Sequence, residues 1–400
     1  MVMMLIGLVG KPSSGKSTFF NALTMQNVPM ASYPFTTINP NIGTAFVRVE
    51  CIDKEFNVQC NPRSGYCRDG TRYVPVEVID VAGLVPGAHE GRGRGNAFLS
   101  DLSRADVLIH VIDASGSTNE QGEQVGMGQH DPCKDVEFLE EEIDYWFLGV
   151  IKKNWVKFAK IKMESKSKLL ETMQQNLSGI GADQQHIEAA LSKSGLGDKR
   201  LDAWGDEDMF EFARELRRNS KPIVIAANKF DLQAAADNIK RMQEKFPHLT
   251  IIGCSAISEL TLKKASKEEA IEYHAGEKEF KLLKELSAEQ KKGLDYIRTH
   301  VLEKLGSTGV QEIIDDTVFN VLKYIAVFPA GTKKLQDSLG RTLPDCFLIP
   351  GGSTALDFAF KLHTDIGKGF IKAIDVKTRL AVGREHQLKN RDAIEIVHNK

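Results

Sequence analysis

Gly10-Lys11-Pro12-Ser13-Ser14-Gly15-Lys16-Ser17 has the spacing GxxxxGK[ST], directly after the apolar run Leu5 to Val9 and directly before the helix-like Thr18 to Leu23. A strand, a glycine-rich turn and a helix in that order make a cradle for a phosphate chain. Such a chain needs backbone N–H groups turned inward, the positive end of a helix, one ammonium, and one hydroxyl for Mg²⁺. Gly10, Ser13, Ser14, Gly15 and Thr18 would line the cradle, with Lys16 as the ammonium and Ser17 as the hydroxyl. The plainer reading is a glycine-rich turn with a chance lysine. The flanking strand and helix patterns, independent of the motif, weigh against it.

Outward from this loop, short apolar runs recur at Val76 to Ile79, Val107 to Ile112, Pro222 to Ala227 and Leu249 to Cys254. Runs of this kind suit strands covered on both faces, so the spacing predicts an α/β domain with a mostly parallel sheet over 1–117 and 219–265. Residues 118–218 are polar and charge-rich with helical spacing (Ile151, Trp155, Phe158, Ile161), which reads as a helical insertion. A lysine- and glutamate-rich helical connector over 266–320 leads to a last unit, 321–400. There Leu343 to Ile349 reads as a strand, and Ser353 or Thr354 caps a helix ending at Gly367. Strands at Phe370 to Val376, Leu380 to Val382 and Ala393 to Val397 then complete a small mixed sheet on one helix.

Composition narrows the class. The chain has 400 residues, enough for two to three domains, with 42% hydrophobic and 26% charged residues, which excludes fibrous and disordered readings. A net charge of −2 excludes nucleic-acid binding by bulk charge, so any such site is local. Six cysteines in this length do not form the framework of a small secreted domain, and a reducing, cytoplasmic compartment is expected. The apolar start, Met1 to Gly10, is too short to span a bilayer and lacks the marks of a signal peptide. No membrane partner is expected.

Three further segments bear on the cradle. Asp80-Val81-Ala82-Gly83 closes a strand run, where Asp80 can hold Mg²⁺ through water and the Gly83 N–H can face a terminal phosphate. Asn228-Lys229-Phe230-Asp231 follows the Pro222 to Ala227 run, and Asp231 can accept from both N1–H and the 2-amino group of guanine. Adenine offers neither donor, leaving the carboxylate unpaired at a cost of about 1 to 3 kcal/mol. Cys254-Ser255-Ala256 would present a backbone N–H from Ser255 or Ala256 to the guanine oxygen.

These four segments in this order resemble the P-loop GTPases. Tyr33-Pro34-Phe35-Thr36-Thr37-Ile38-Asn39-Pro40 and the stretch Asp80 to Leu99, with Pro86-Gly87-Ala88-His89-Glu90-Gly91-Arg92-Gly93-Arg94-Gly95-Asn96 inside it, resemble the switch regions of the Obg superfamily, nearest its YchF branch. Phe360-Lys361-Leu362-His363-Thr364-Asp365-Ile366-Gly367-Lys368-Gly369-Phe370 resembles a TGS domain, a β-grasp module. The resemblance implies GTP/GDP and Mg²⁺ as ligands, with Ser17, Thr37 and Asp80 on the metal. Thr37, rather than Thr36, would be the switch threonine. Two departures stand out. YchF-type chains commonly carry Asn-x-x-Glu, associated with ATP, where this chain has Asn228 to Asp231, so guanine preference is expected here. Ser13 stands where several relatives have an asparagine linked to K⁺ use, which leaves K⁺ dependence open.

Leu84 follows Gly83, where a glutamine would orient the attacking water, so intrinsic hydrolysis should be slow, on the order of 10⁻³ s⁻¹. His89, matched by a histidine in the YchF branch, could orient that water, with Lys16 and Thr37 completing the catalytic set; a solvated surface histidine is the alternative. The resemblance implies a GTP-hydrolysing switch whose insertion and TGS domain contact a ribosome or another RNA-protein partner. The contrasting reading is a scaffold that binds RNA and holds nucleotide without turnover. Lys152 to Lys168 carries seven lysines and Asp135 to Asp144 six acids, which ordinarily mark solvated helix faces. Cys51, Cys60 and Cys67 offer three thiolates toward zinc, but their spacing is not a CxxC pair and no nearby histidine completes four ligands, so plain packing is the competing reading.

Overall fold

The computed structural model describes residues 4–25, 42–81, 95–159 and 166–399. Its central sheet is built from β1 (Leu5–Val9), β2 (Ile42–Glu50), β3 (Tyr66–Arg68), β4 (Thr71–Asp80), β5 (Val107–Asp113), β6 (Ile223–Asn228) and β7 (Thr250–Gly253). The order is β2-β4-β1-β5-β6-β7, with β3 alongside the first three residues of β4. From β4 to β7 all neighbours are parallel, and β2 closes one edge antiparallel to β4. Every residue of β1, β5 and β6 is buried, as continuous apolar runs covered on both faces require. Parallel strands end on one side of the sheet. The register Leu8 with Asp80, Val9 with His110, and Asp113 with Asn228 therefore brings the loops after four strands to a common edge.

Helices cover both faces. α1 (Lys16–Thr24) and α2 (Gly95–Arg104) follow the phosphate loop and the strand ending at Asp80. The insertion is helical, with α3 (Pro132–Ala159), α4 (Lys166–Leu177), α5 (Gln184–Lys193) and α6 (Asp206–Ser220). It does not form a separate ball: Phe147, Phe158 and Phe212 belong to the same apolar cluster as Leu108, Ile112 and Ile225 of the sheet. The acidic segment of α3 departs from the solvated face expected for it. Asp135 and Asp144 are buried because they meet cations there, Asp135 with Lys11 Nζ at 2.8 Å and Asp144 with Arg217 Nε at 2.7 Å.

After α7 (Ala235–Lys245) and α8 (Ala256–Lys267), the connector is not purely helical. It contains the hairpin β8 (Ile271–Glu272) and β9 (Lys281–Leu282) before α9 (Ala288–Ile297), α10 (Glu303–Leu305) and α11 (Val310–Asp316). The last unit is a five-stranded sheet, β10 (Tyr324–Pro329), β11 (Phe347–Pro350), β12 (Phe370–Asp375), β13 (Ala381–Val382) and β14 (Asp392–His398), in the order β11-β10-β14-β12-β13. It grips α12 (Ala355–Leu362) through Phe358, and a short α13 (Thr364–Lys368) follows. β11 starts four residues later than the sequence suggests. Leu343 has a left-handed φ of 44° and Pro344 supplies no N–H, so neither can enter a ladder. The single expected helix is broken at His363, whose extended backbone ends α12 and whose Nδ1 accepts from the Asp365 N–H to start α13. No helix among the described residues is long and apolar enough to cross a membrane.

His110 lies in the centre of β5, and its Nδ1 has no hydrogen-bond partner. Burial first, and the Lys11 ammonium second, push its pKa down to about 3. An unfolded histidine takes up a proton near pH 6.5, so the unfolded chain binds the extra proton between about 6.5 and 3 and stability falls as pH drops through that window. Replacing His110 by Leu is expected to flatten this part of the stability-against-pH curve, measured by urea denaturation. An unchanged slope would contradict the assignment.

Candidate nucleotide site

Gly15 precedes α1 with φ of 93° and Ser13 has φ of 61°, so the chain turns sharply between strand and helix. At Gly10 a side chain would lie 2.6 Å from the Val111 carbonyl oxygen, and at Gly15 it would collide with the Asn228 amide. Glycine is demanded by close approach at both ends of the loop. No acidic residue occupies the first turn of α1, so its free N–H groups and positive end face the loop uncompensated. Ser14 Oγ is buried and unbonded within the protein. Lys16 Nζ reaches Asp80 Oδ1 and donates to Val81 O at 2.8 Å, which sets the β4 end against the start of α1, where Ser17 is exposed and Thr18 half-buried. A hydroxyl and a carboxylate are hard oxygen donors, the type Mg²⁺ prefers.

Asn228 ties the phosphate loop to the base-side loops. Its amide donates to Ser14 O at 3.0 Å, and its Oδ1 accepts from the Ala256 N–H at 3.0 Å. Asp231 Oδ1 accepts from Ser255 Oγ at 2.7 Å, which orients one carboxylate oxygen, and Asp231 is half-buried. The expected backbone donor of the Ser255 segment is otherwise engaged. Ser255 N–H donates to Thr308 O at 2.9 Å and Ala256 N–H to Asn228 Oδ1, while the Ser255 hydroxyl is the group that meets Asp231.

Lys229, in a left-handed conformation with φ of 64°, points its Nζ back to Asp113 Oδ2 at 2.9 Å. Asp113 is a positioning residue that the motif reading passes over. Burial opposes its charge, but hydrogen bonds from Ser115, Lys229 and Ser117 outweigh that and hold its carboxyl below the usual range. The signal was present: a carboxylate ending a buried strand, level with Asn228, followed by Ser115, Ser117 and Thr118. Lys11 was also overlooked. Its ammonium, buried, donates to Thr118 O at 2.8 Å and pairs with Asp135, which His130 Nε2 meets at 2.9 Å. Tyr296 of α9 donates to Asp231 O at 2.9 Å, bringing the connector to the rim. Thr37, Gly83 and His89, with Thr36, Leu84, Arg92 and Arg94, lie outside the described residues.

Known proteins resemble the chain over nearly its whole length. Residues 5–139 match the family described as 50S ribosome-binding GTPase, residues 226–331 the Obg-like GTPase YGR210-like, G4 motif-containing domain, and residues 331–398 the TGS domain. An uncharacterised GTP-binding protein of Methanocaldococcus jannaschii is 45% identical over 99% of both chains. The crystal structure of a GTP-binding protein from Pyrococcus horikoshii superposes with a TM-score of 0.79 at 39% identity, covering 99% of this chain and 100% of the other. The ribosome-binding ATPase YchF of Buchnera aphidicola is 28% identical over 93% of this chain and 88% of its own.

Asn228 bridges two loops, so Asn228→Ala should strip a partner from Ser14 O and from Ala256 N–H at once. The expected cost is about 1 to 3 kcal/mol in thermal unfolding, with weaker binding of guanine and adenine nucleotides alike. A variant of unchanged melting temperature and affinity would show that the bridge carries no weight.

Proposed function

This chain belongs to the Obg superfamily of P-loop GTPases, in its YchF-like branch, with a C-terminal TGS domain, and on that premise we propose that it is a guanine-nucleotide switch that hydrolyses GTP slowly and reports its state to a ribosome or another RNA-protein partner. One observation carries the guanine preference: Asp231, held by the Ser255 hydroxyl, stands on the same loop as Asn228, which is bonded directly to the phosphate loop. Purine edge and phosphates are thereby addressed by one rigid unit. A carboxylate accepts two donors from guanine and finds none on adenine in that arrangement. Gly10, Ser13, Ser14, Gly15, Lys16, Ser17 and Thr18 would take the phosphates, and Ser17, Asp80 and Thr37 would hold Mg²⁺. The metal would supply charge neutralisation across the β- and γ-phosphates. Lys16 would then exchange its Asp80 contact for phosphate oxygens.

For hydrolysis, Leu84 offers no group to polarise water, and His89 is the proposed orienting residue, with K⁺ as a further variable through the Ser13 position. The ribosomal partner is supported by the description of the matching GTPase family and by the name of the Buchnera relative. The chain itself offers a local excess of basic residues, nine Lys and Arg against five acids, between Phe360 and Lys400. Such a patch meets phosphates through charge, so the contact would weaken with salt.

Asp231→Asn should weaken GDP by about 1 to 3 kcal/mol, roughly 5- to 150-fold, while ADP changes little; equal loss of both, by fluorescent-nucleotide titration, would defeat the base assignment. Turnover of GTP should rise when ribosomes are added, and His89→Ala should lower it by roughly 100-fold or more without changing GDP affinity. No turnover with or without ribosomes, together with ribosome binding indifferent to nucleotide, would favour the scaffold.

A further inference from the structure

Far from the nucleotide edge, the excursion between β2 and β4 brings three cysteines and an aspartate together. Cys51 follows β2 and donates its N–H to Gly70 O at 2.7 Å, extending the ladder by one step. A tight turn through Asn57, left-handed at φ of 52° and closed by Val58 N–H to Asp53 O at 3.0 Å, returns the chain so that Cys60 lies beside Cys51. Cys67 comes from β3, fixed opposite Arg72 of β4. The ligand-type atoms of Cys51, Asp53, Cys60 and Cys67 all lie within 4.8 Å of one another.

The spacing within this group is that of a coordination shell. Cys51 Sγ is 3.7 Å from Cys60 Sγ, and Cys67 Sγ is 3.7 Å from Asp53 Oδ2. Zn–S bonds of about 2.3 Å at tetrahedral angles give S···S edges of about 3.8 Å, and a Zn–O bond of about 2.1 Å gives S···O edges of about 3.6 Å. Burial adds an independent constraint. Asp53 is only 3% exposed, Cys51 2% and Cys60 5%. The Asp53 carboxylate accepts from the Lys54 N–H at 2.8 Å and faces the Cys67 thiol, and no basic side chain among the described residues pairs with it. A buried carboxylate in that position calls for a cation. Packing of three thiols leaves it without one.

We propose that Cys51, Cys60, Cys67 and Asp53 bind a structural zinc ion. Three thiols release their protons to solvent as the metal enters, and the three thiolates with the carboxylate complete four ligands. Soft sulfur donors in a closed tetrahedral set select against Mg²⁺ and Ca²⁺. The sum of charges, two positive and four negative, leaves −2 at the centre. Arg72, fully buried opposite Cys67 and with its Nε unpartnered, offsets part of it while its terminal nitrogens donate to Leu343 O at 3.1 Å and Pro344 O at 2.7 Å. The site then pins the excursion at the point where Asn61 and Arg63 N–H groups meet the carbonyls of Thr342 and Pro344, both at 2.8 Å, which is the seam with the C-terminal sheet.

The full chain, purified under reducing, oxygen-free conditions from zinc-supplemented medium, should carry about one zinc per chain by plasma mass spectrometry. Chelated protein titrated with Co²⁺ should develop the strong visible bands and sulfur-to-cobalt charge transfer of a tetrahedral thiolate site. Asp53→Ala should keep the charge transfer and lose more affinity than the roughly 10- to 100-fold that removal of an outer-shell partner costs. Cys60→Ser should lose the zinc, and Cys133→Ser, remote from the cluster, should keep it. If the cysteine variants do not fold, mercurial titration of the wild-type thiols reads the same point, since zinc should leave in step with the blocking of three thiols. A wild-type chain that holds no zinc and gives only the weak octahedral spectrum of Co²⁺ would overturn the assignment, as would zinc retained by folded Cys60→Ser or zinc release unconnected to thiol blocking.

Discussion

Most of what this molecule can do with a nucleotide depends on one buried amide. Asn228 sits at the end of β6, donates to the phosphate loop and accepts from the first turn of α8. The phosphate loop alone is a strained turn between a strand and a helix, and the Asp231 loop alone is a surface turn. Each has ties of its own, Lys11 to Asp135 for the first and Ser255 and Tyr296 to Asp231 for the second, but Asn228 bonds one to the other through the start of α8. The side chain that joins them is short and planar, and both its donor and its acceptor are in use. It can therefore hold only one arrangement.

Charge in the interior is handled by the same rule of pairing. Arg217, buried in α6, takes Glu140 and Asp144 of α3 through separate nitrogens, and Lys11 takes Asp135. Buried pairs of this kind add little net stability over apolar packing, yet loss of one member is costly, because the other remains in a medium of low polarity. Their value is positional. Each fixes the insertion against the sheet at a defined point, and the exposed pairs at the C-terminal seam, such as Lys377 with Glu55, are worth far less.

Legibility followed the range over which a function is written. The phosphate loop and Asn228 to Asp231 were readable because each requires fixed residue types within a few positions, beside a strand that announces itself as an apolar run. β2 was missed because its apolar run is short: only Ala45, Phe46 and Val47 are consecutive, and Thr44 on one side and Arg48 on the other interrupt it before Val49. The burial of the α3 acids was hidden because Arg217 comes 73 residues after Asp144. Asp53 was hidden for a related reason. Two residues from Cys51 it looks like a turn aspartate, and only the folded turn sets it among sulfurs that arrive from both sides. Asp113 shows the same limit in milder form, since a carboxylate at a strand end acquires its meaning from the lysine in the loop after another strand.

The position of Lys11 has a mechanical corollary. This residue belongs to the phosphate loop, yet its ammonium is fastened to Asp135 near the base of α3, a helix of 28 residues. At about 1.5 Å per residue such a rod is roughly 42 Å long. It is not fastened at one end alone: Asp135 takes Lys11 in its first turn, Glu140 and Asp144 take Arg217 further along, and Ile151 and Phe158 are buried in the core near its far end, so the phosphate loop is wired to a beam braced along its length.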